Sequence, residues 1–312
     1  MTTQPVPVAL SDLDVEQRLD AIAAECSGPF GFYARDLRTG HAGRTIGRLA
    51  EESFPTASLI KVAILVELER QAAIGTVSMT QPVELRDEDK VGGSSLLRHM
   101  SAGIQLPVRD WAFLMMQVSD NTATNVLIDL VGLERTNATM EHEGFPSIRL
   151  NHKIDFAALW TDVRHLGEGS PRDFAELLAA ILERHLHSVP PEACADMLRL
   201  MDGVGAGERL ARYLDYNPYA TQQRESGLTP EETGPVVHFA GKTGSLTGVR
   251  THAAVIWSDE SPLRLATCGM VRDSTDTRWS VDADALVAIG KAGRLAYDAL
   301  CLLYTSPSPR DS

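Results

Sequence analysis

The sequence predicts a mixed α/β fold, in which an antiparallel sheet flanked by helices is formed by both chain ends and an all-helical lobe is inserted between them. Three observations carry this expectation. Strand-like apolar segments occur near the start (GPFGFYARDLRTGH) and near the end (VVHFAGKTGS, THAAVIWSD, LRLATCGMV), and not between. The middle of the chain reads as helix upon helix. No internal repeat or low-complexity linker separates the two strand-bearing ends, so they are expected to meet in one sheet.

Residues 13–25 space Leu13, Val15, Leu19, Ile22 and Ala23 as one helical face with acidic residues between them. GPFGFYARDLRTGH then predicts a strand, a turn at Arg38-Thr39-Gly40 and a second strand from Gly43. After Pro55 the periodicity predicts helices over 58–73, 94–102, 107–116, 121–131, 134–143 and 171–187. The three late strands follow, and a last helix starts at about 281. The expected lobes are 13–54 with 205–300 for the sheet, and 55–204 for the helices. The ending CLLYTSPSPRDS abandons the apolar helical pattern for Ser and Pro, and it matches a translated sequencing-library adapter. Residues 301–312 are therefore expected to be non-native and are set aside.

With 312 residues, 44% of them apolar and 23% charged, the chain has the composition of a globular enzyme. A net charge of -13 and a pI near 5.1 argue against nucleic acid or an anionic membrane as partner, since both require clustered Lys and Arg. The start lacks a basic segment followed by an apolar one, and no stretch reaches the roughly 18 apolar residues of a membrane span, so the expected location is cytoplasmic. Cys26, Cys194, Cys268 and Cys301 form no C-x-x-C pair, which points to isolated thiols. His185 and His187 fall on different sides of a predicted helix, and no metal or cofactor is expected.

Chemistry enters with PTASLIKVAILVEL, an apolar run that contains Lys61 three residues after Ser58. On a helix these positions share a face. A lysine held out of water loses its preference for the charged form and becomes able to accept a hydroxyl proton. A lone S-x-x-K is more often a lysine whose ammonium reaches out to solvent. Two further motifs follow. Ser119-Asp120-Asn121 lies between helical stretches, where each residue is also a ready helix cap. Lys242-Thr243-Gly244 ends an apolar strand, and six residues between Gly234 and Gly241 exclude a P-loop.

S-x-x-K, S-D-N and K-T-G in this order are far more specific together than singly, and with them the chain resembles the class A β-lactamases and related penicillin-recognising serine hydrolases. The likeness runs over roughly 28–300, through FYARDLRTG, FPTASLIKV, VSDNTATNVLI and KTGSLTGVR. It implies a sheet packed with helices beside a helical lobe. It implies Ser58 as nucleophile, Lys61 as its base, and Ser119 as the relay to the leaving nitrogen with Lys242 beside it. Asn121 would bind a substrate amide, Thr243, Ser245 and Arg250 a carboxylate, and the N–H groups of Ser58 and Ser245 an oxyanion. The family's E-x-x-L-N segment, which holds the deacylating water, is missing from IRLNHKIDFAALWTD. Ungapped counting puts Asp155 at the Glu position and anchoring on Arg149-Leu150 puts Ile154 there, while the Asn position holds Ala158 or Leu159. Asp155 is thus a tentative base. The expected substrate is a small β-lactam, amide or ester; a cytosolic esterase, amidase or peptidase of the same fold and an acyl-trapping binding protein are the competing readings.

Overall fold

The computed structural model describes residues 11–38, 43–205, 207–261 and 263–301. The chain begins with α1 (Asp12–Ala24), β1 (Phe30–Asp36), β2 (Thr45–Arg48) and β3 (Phe54–Pro55). Next come α2 (Lys61–Ala73), β4 (Pro82–Glu84), β5 (Gln105–Pro107), α3 (Val108–Gln117), α4 (Asn121–Val131) and α5 (Leu133–His142). They are followed by β6 (Arg149–Leu150), α6 (Phe156–Leu159), β7 (Gly167–Gly169), α7 (Pro171–Glu183) and α8 (Pro191–Met201). The chain closes with α9 (Ala220–Glu225), α10 (Pro230–Thr233), β8 (His238–Leu246), β9 (Val249–Trp257), β10 (Arg264–Val271) and α11 (Asp284–Leu300).

Both ends do meet in one antiparallel sheet, in the order β2-β1-β10-β9-β8. Strand alternation divides the core in two. Phe30, Phe32 and Ala34 join Leu265 and Ile256 against α1 and α11, whereas Tyr33, Ala266 and Val255 belong to the larger core that α2 to α8 build. α1 starts at a reciprocal cap, in which the Ser11 hydroxyl accepts from the Asp14 N–H and the Asp14 carboxylate accepts from the Ser11 N–H. α7 falls within the stretch expected to be the helical lobe, but it packs on β1, β9 and β10. No helix among the described residues is long and apolar enough to cross a membrane.

Three local expectations change. Over 94–102 only one 3₁₀ turn forms, Leu97–His99. The N–H groups of Leu96 and Leu97 donate to the Asp120 carboxylate, which pulls this segment away from helical pairing. α7 stops at Glu183 because Arg184 turns left-handed (φ 58°), and the N–H groups of His187 and Ser188 then donate to Glu143. α8 is not among the helices the periodicity predicts, although Pro190-Pro191 marks its start. The Arg38-Thr39-Gly40 turn lies mostly, and the tail from 302 wholly, outside the described residues.

Candidate active site

Ser58 stands in a 3₁₀ turn, Ala57–Ile60, that leads directly into α2, and Lys61 is the first residue of that helix. Ala57, immediately before the serine, has φ 47°, a conformation costly for a residue with a Cβ. Lys61 is fully buried. Its Nζ donates to the Ser119 carbonyl at 2.8 Å, the Ser119 hydroxyl at 3.0 Å and the Asn121 Oδ1 at 3.0 Å. Burial first, and the nearby Lys242 charge second, push its pKa well below the usual lysine value, against the pull of Asp120.

Within S-D-N the roles divide. Asp120 is the helix cap: its carboxylate accepts from the N–H of Ala123 at 2.9 Å and from Leu96 and Leu97, so it caps α4 and ties down the 94–97 loop together. Ser119, at φ 56°, and Asn121 are left to line the cleft. The Asn121 amide also donates to the Gly92 carbonyl at 2.9 Å, so this side chain is fixed at both ends.

β8 brings the third motif. Lys242 Nζ donates to the Ser119 hydroxyl at 3.2 Å and to the Thr243 carbonyl at 3.0 Å, so two lysines bracket one hydroxyl. Burial and the Arg209 charge lower the Lys242 pKa to about 7, with Glu208 opposing. Gly244 explains how the strand comes so close. A Cβ there would lie 2.5 Å from the Thr56 carbonyl oxygen, 2.9 Å from the Ser58 nitrogen and 2.4 Å from Thr251 Oγ1.

Ser58, Ser119, Asn121, Thr243 and Ser245 line one cleft of about 780 Å³. Two expected residues are elsewhere. Arg250 is buried with its guanidinium committed to the carbonyls of Leu246, Val249 and Arg278 and stacked on Trp279, so it braces the β8–β9 turn. Among the described residues lining the cleft the cation is Arg209, whose guanidinium donates to Ser245 Oγ and the Gly244 carbonyl, both at 2.8 Å, and to the Thr251 carbonyl at 2.5 Å. Its pKa is lowered to about 10 by burial and by Arg250. No signal in GERLARYL separates Arg209 from Arg212, since only contacts across 35 residues distinguish them.

Asp155 is the second displaced residue. Its exposed carboxylate caps α6, accepting from the N–H groups of Ala157 at 2.9 Å and Ala158 at 3.4 Å, and it borders a separate depression with Lys153 and His165. Ile154 lines the cleft instead. Its N–H donates to Asn125 Oδ1 at 2.8 Å and its carbonyl accepts from Asn125 Nδ2 at 3.0 Å, a pair of bonds that fixes which residue turns inward. Leu159 joins it on that wall, and no Asp or Glu is found among the described residues lining the cleft.

The arrangement offers the Ser119 hydroxyl between two buried amines, of which one with a strongly lowered pKa can hold a proton transiently, with Ser58 lining the same cleft and an arginine for an anion. Known proteins carry the same architecture. A β-lactamase of Streptomyces lavendulae is 28% identical over 256 residues, covering 80% of this chain and 76% of its own. The crystal structure of a β-lactamase from Sphaerobacter thermophilus superposes with a TM-score of 0.76 at 25% identity, covering 93% of this chain and 98% of its own. An acyl-enzyme complex of a PBP-A mutant with penicillin G shares the fold at TM-score 0.73 and 22% identity, covering 94% and 98%. The family model described as the Beta-lactamase enzyme family matches residues 14–300, and with the three motifs meeting in one cleft the chain belongs to that family.

Proposed function

We propose that this chain is a class A-like serine hydrolase that opens a β-lactam, or a related amide or ester, through an acyl-serine and releases the acyl group slowly. The observation that carries the reading is the Ser119 hydroxyl held between Lys61 and Lys242 at the cleft that Ser58 lines. Ser58 Oγ forms the bond to the carbonyl carbon while its proton passes to Lys61 in its neutral form, which keeps at most two of its three donated hydrogen bonds and turns its lone pair to the serine. The lactam C–N bond then breaks, and the departing nitrogen takes a proton from Ser119, which is replenished from Lys61. The N–H groups of Ser58 and Ser245 carry the charge of the tetrahedral oxygen. Thr243, Ser245 and Arg209 receive the substrate carboxylate, and Asn121 its amide.

Slow release is supported by the part of the cleft lining that the 154–166 segment supplies. Ile154 and Leu159 offer an attacking water neither a base nor a hydrogen bond. Intact mass measured over time with a penicillin and a chromogenic cephalosporin tests the proposal. An adduct on Ser58 within the first minutes, persisting while product forms slowly, is expected, and Ser58→Ala abolishes it. Rapid turnover with no detectable adduct overturns the slow step; an adduct that survives in Ser58→Ala overturns the nucleophile.

A further inference from the structure

We infer that the acyl group taken by this cleft carries a bulky aromatic or branched apolar substituent, seated on Ile154, Phe156 and Leu159 beneath Trp160. The inference rests on the acyl-serine reading above and specifies its substrate. Every cleft residue supplied by 154–166 is apolar: Ile154, Phe156, Leu159, Trp160, Val163 and Leu166. The polar lining comes from other segments, with Thr243, Ser245 and Arg209 supplying the groups suited to an anion. A ligand complementary to both carries its anion at one end and apolar bulk at the other.

Two observations support contact between this wall and a ligand. Phe156, half-buried, lies against Gly93: a Cβ there (φ 72°) would be 2.5 Å from Phe156 Cζ and 2.9 Å from Asn121 Nδ2, so the ring packs onto the glycine beside that amide. Trp160, in contrast, is 82% exposed while lining the same cleft, and its indole covers almost nothing in the free protein. A large indole held at the lip of a pre-formed pocket gains most when a ligand buries it. The cleft volume of about 780 Å³ also lies within the range that encloses most of a drug-sized molecule, so a nucleus and a side chain fit together.

The test compares acylation of the full chain by benzylpenicillin and by its acetamido counterpart, which lacks only the phenyl ring. The expected ratio of second-order rate constants is roughly 10- to 100-fold in favour of benzylpenicillin, the discrimination an apolar pocket provides for a group of this kind. Trp160→Ala is expected to reduce the ratio at least about threefold and Trp160→Phe to restore most of it. Tyr219→Ala, which removes an exposed aromatic that does not line the cleft, leaves it unchanged. A ratio near one in the parent, or one untouched by Trp160→Ala, overturns the inference while leaving the acyl-serine reading intact. Failure of both penicillins to modify Ser58 overturns both.

Discussion

Lys61 makes three hydrogen bonds from a fully buried amine, which separates its function from its contribution to stability. Lys61→Ala is expected to slow acylation by about 10² to 10⁴, the usual worth of a positioned base, with little loss of melting temperature because the cost of desolvating the amine offsets its hydrogen bonds. Stopped-flow acylation paired with thermal melting checks this, and loss of the fold would mark the lysine as structural. The neighbouring pair Ile154 and Asp155 gives a sharper contrast. Asp155→Ala should leave adduct formation and release as in the parent and cost at most about 1 kcal/mol as a lost cap. Ile154→Glu places a carboxylate on the cleft wall, at the position that alignment on Arg149-Leu150 equates with the family's glutamate. Faster disappearance of the adduct by mass is the expected outcome. Acceleration by neither substitution, together with accumulation of adduct in Asp155→Ala, would return the base to Asp155.

At the level of elements, the site depends on how closely β8 passes the 57–60 turn. Gly244 permits that approach, and any side chain there meets two main-chain atoms and Thr251 at under 3 Å. Gly244→Ala is therefore expected to push the strand away from Ser58 and lower the acylation rate at least about tenfold, since small misplacements at a reacting centre are expensive. Gly75→Ala is the control: its surroundings are open, and although its φ of 74° strains an alanine, it lies far along the chain at the end of α2. Equal effects on acylation from the two substitutions would show general destabilisation rather than displacement of β8. The short α6 makes a related point, because its cap on Asp155 and the Asn125 bonds to Ile154 together decide which side chains the segment turns inward.

For the whole molecule, a chain of net charge -13 sets the Arg209 cation on a cleft wall that holds no Asp or Glu among the described residues and buries Lys242 beneath it, and that local reversal of sign suits an anion. It also makes stability depend on pH in a definite direction. Lys242 titrates near 7 when folded and near 10.5 when unfolded. Below about 7 both states hold the proton and the full cost of burying the charge is present. Between 7 and 10.5 the unfolded chain binds more protons, so stability rises with pH, and the gain is complete above 10.5. Lys242→Met should remove this contribution. Urea midpoints for parent and variant, differenced from pH 6.5 to 10, are expected to diverge in the parent's favour as pH rises; a flat difference would count against a buried, easily deprotonated Lys242.

The sequence by itself determined the chemistry on offer and the class of fold. Alternation in the late strands and helical spacing after Pro55 are local properties, and the S-x-x-K, S-D-N and K-T-G motifs carry their residue types within three or four positions. What it left open was which of several equivalent residues faces the cleft. Asp155 and Ile154 are adjacent, and the choice fell to Asn125, 29 residues away in the chain. Arg250 stands near the K-T-G motif in sequence, yet the carbonyls around the β8–β9 turn take up its guanidinium, and Arg209 reaches the wall from an unremarked loop. The 94–102 segment lost its helix to a carboxylate at Asp120. For Ile154, Arg209 and the 94–102 segment the deciding term is a hydrogen bond between residues far apart in sequence, and for Arg250 it is the fold of a turn; periodicity and motif spacing encode neither, and only the folded chain supplies them.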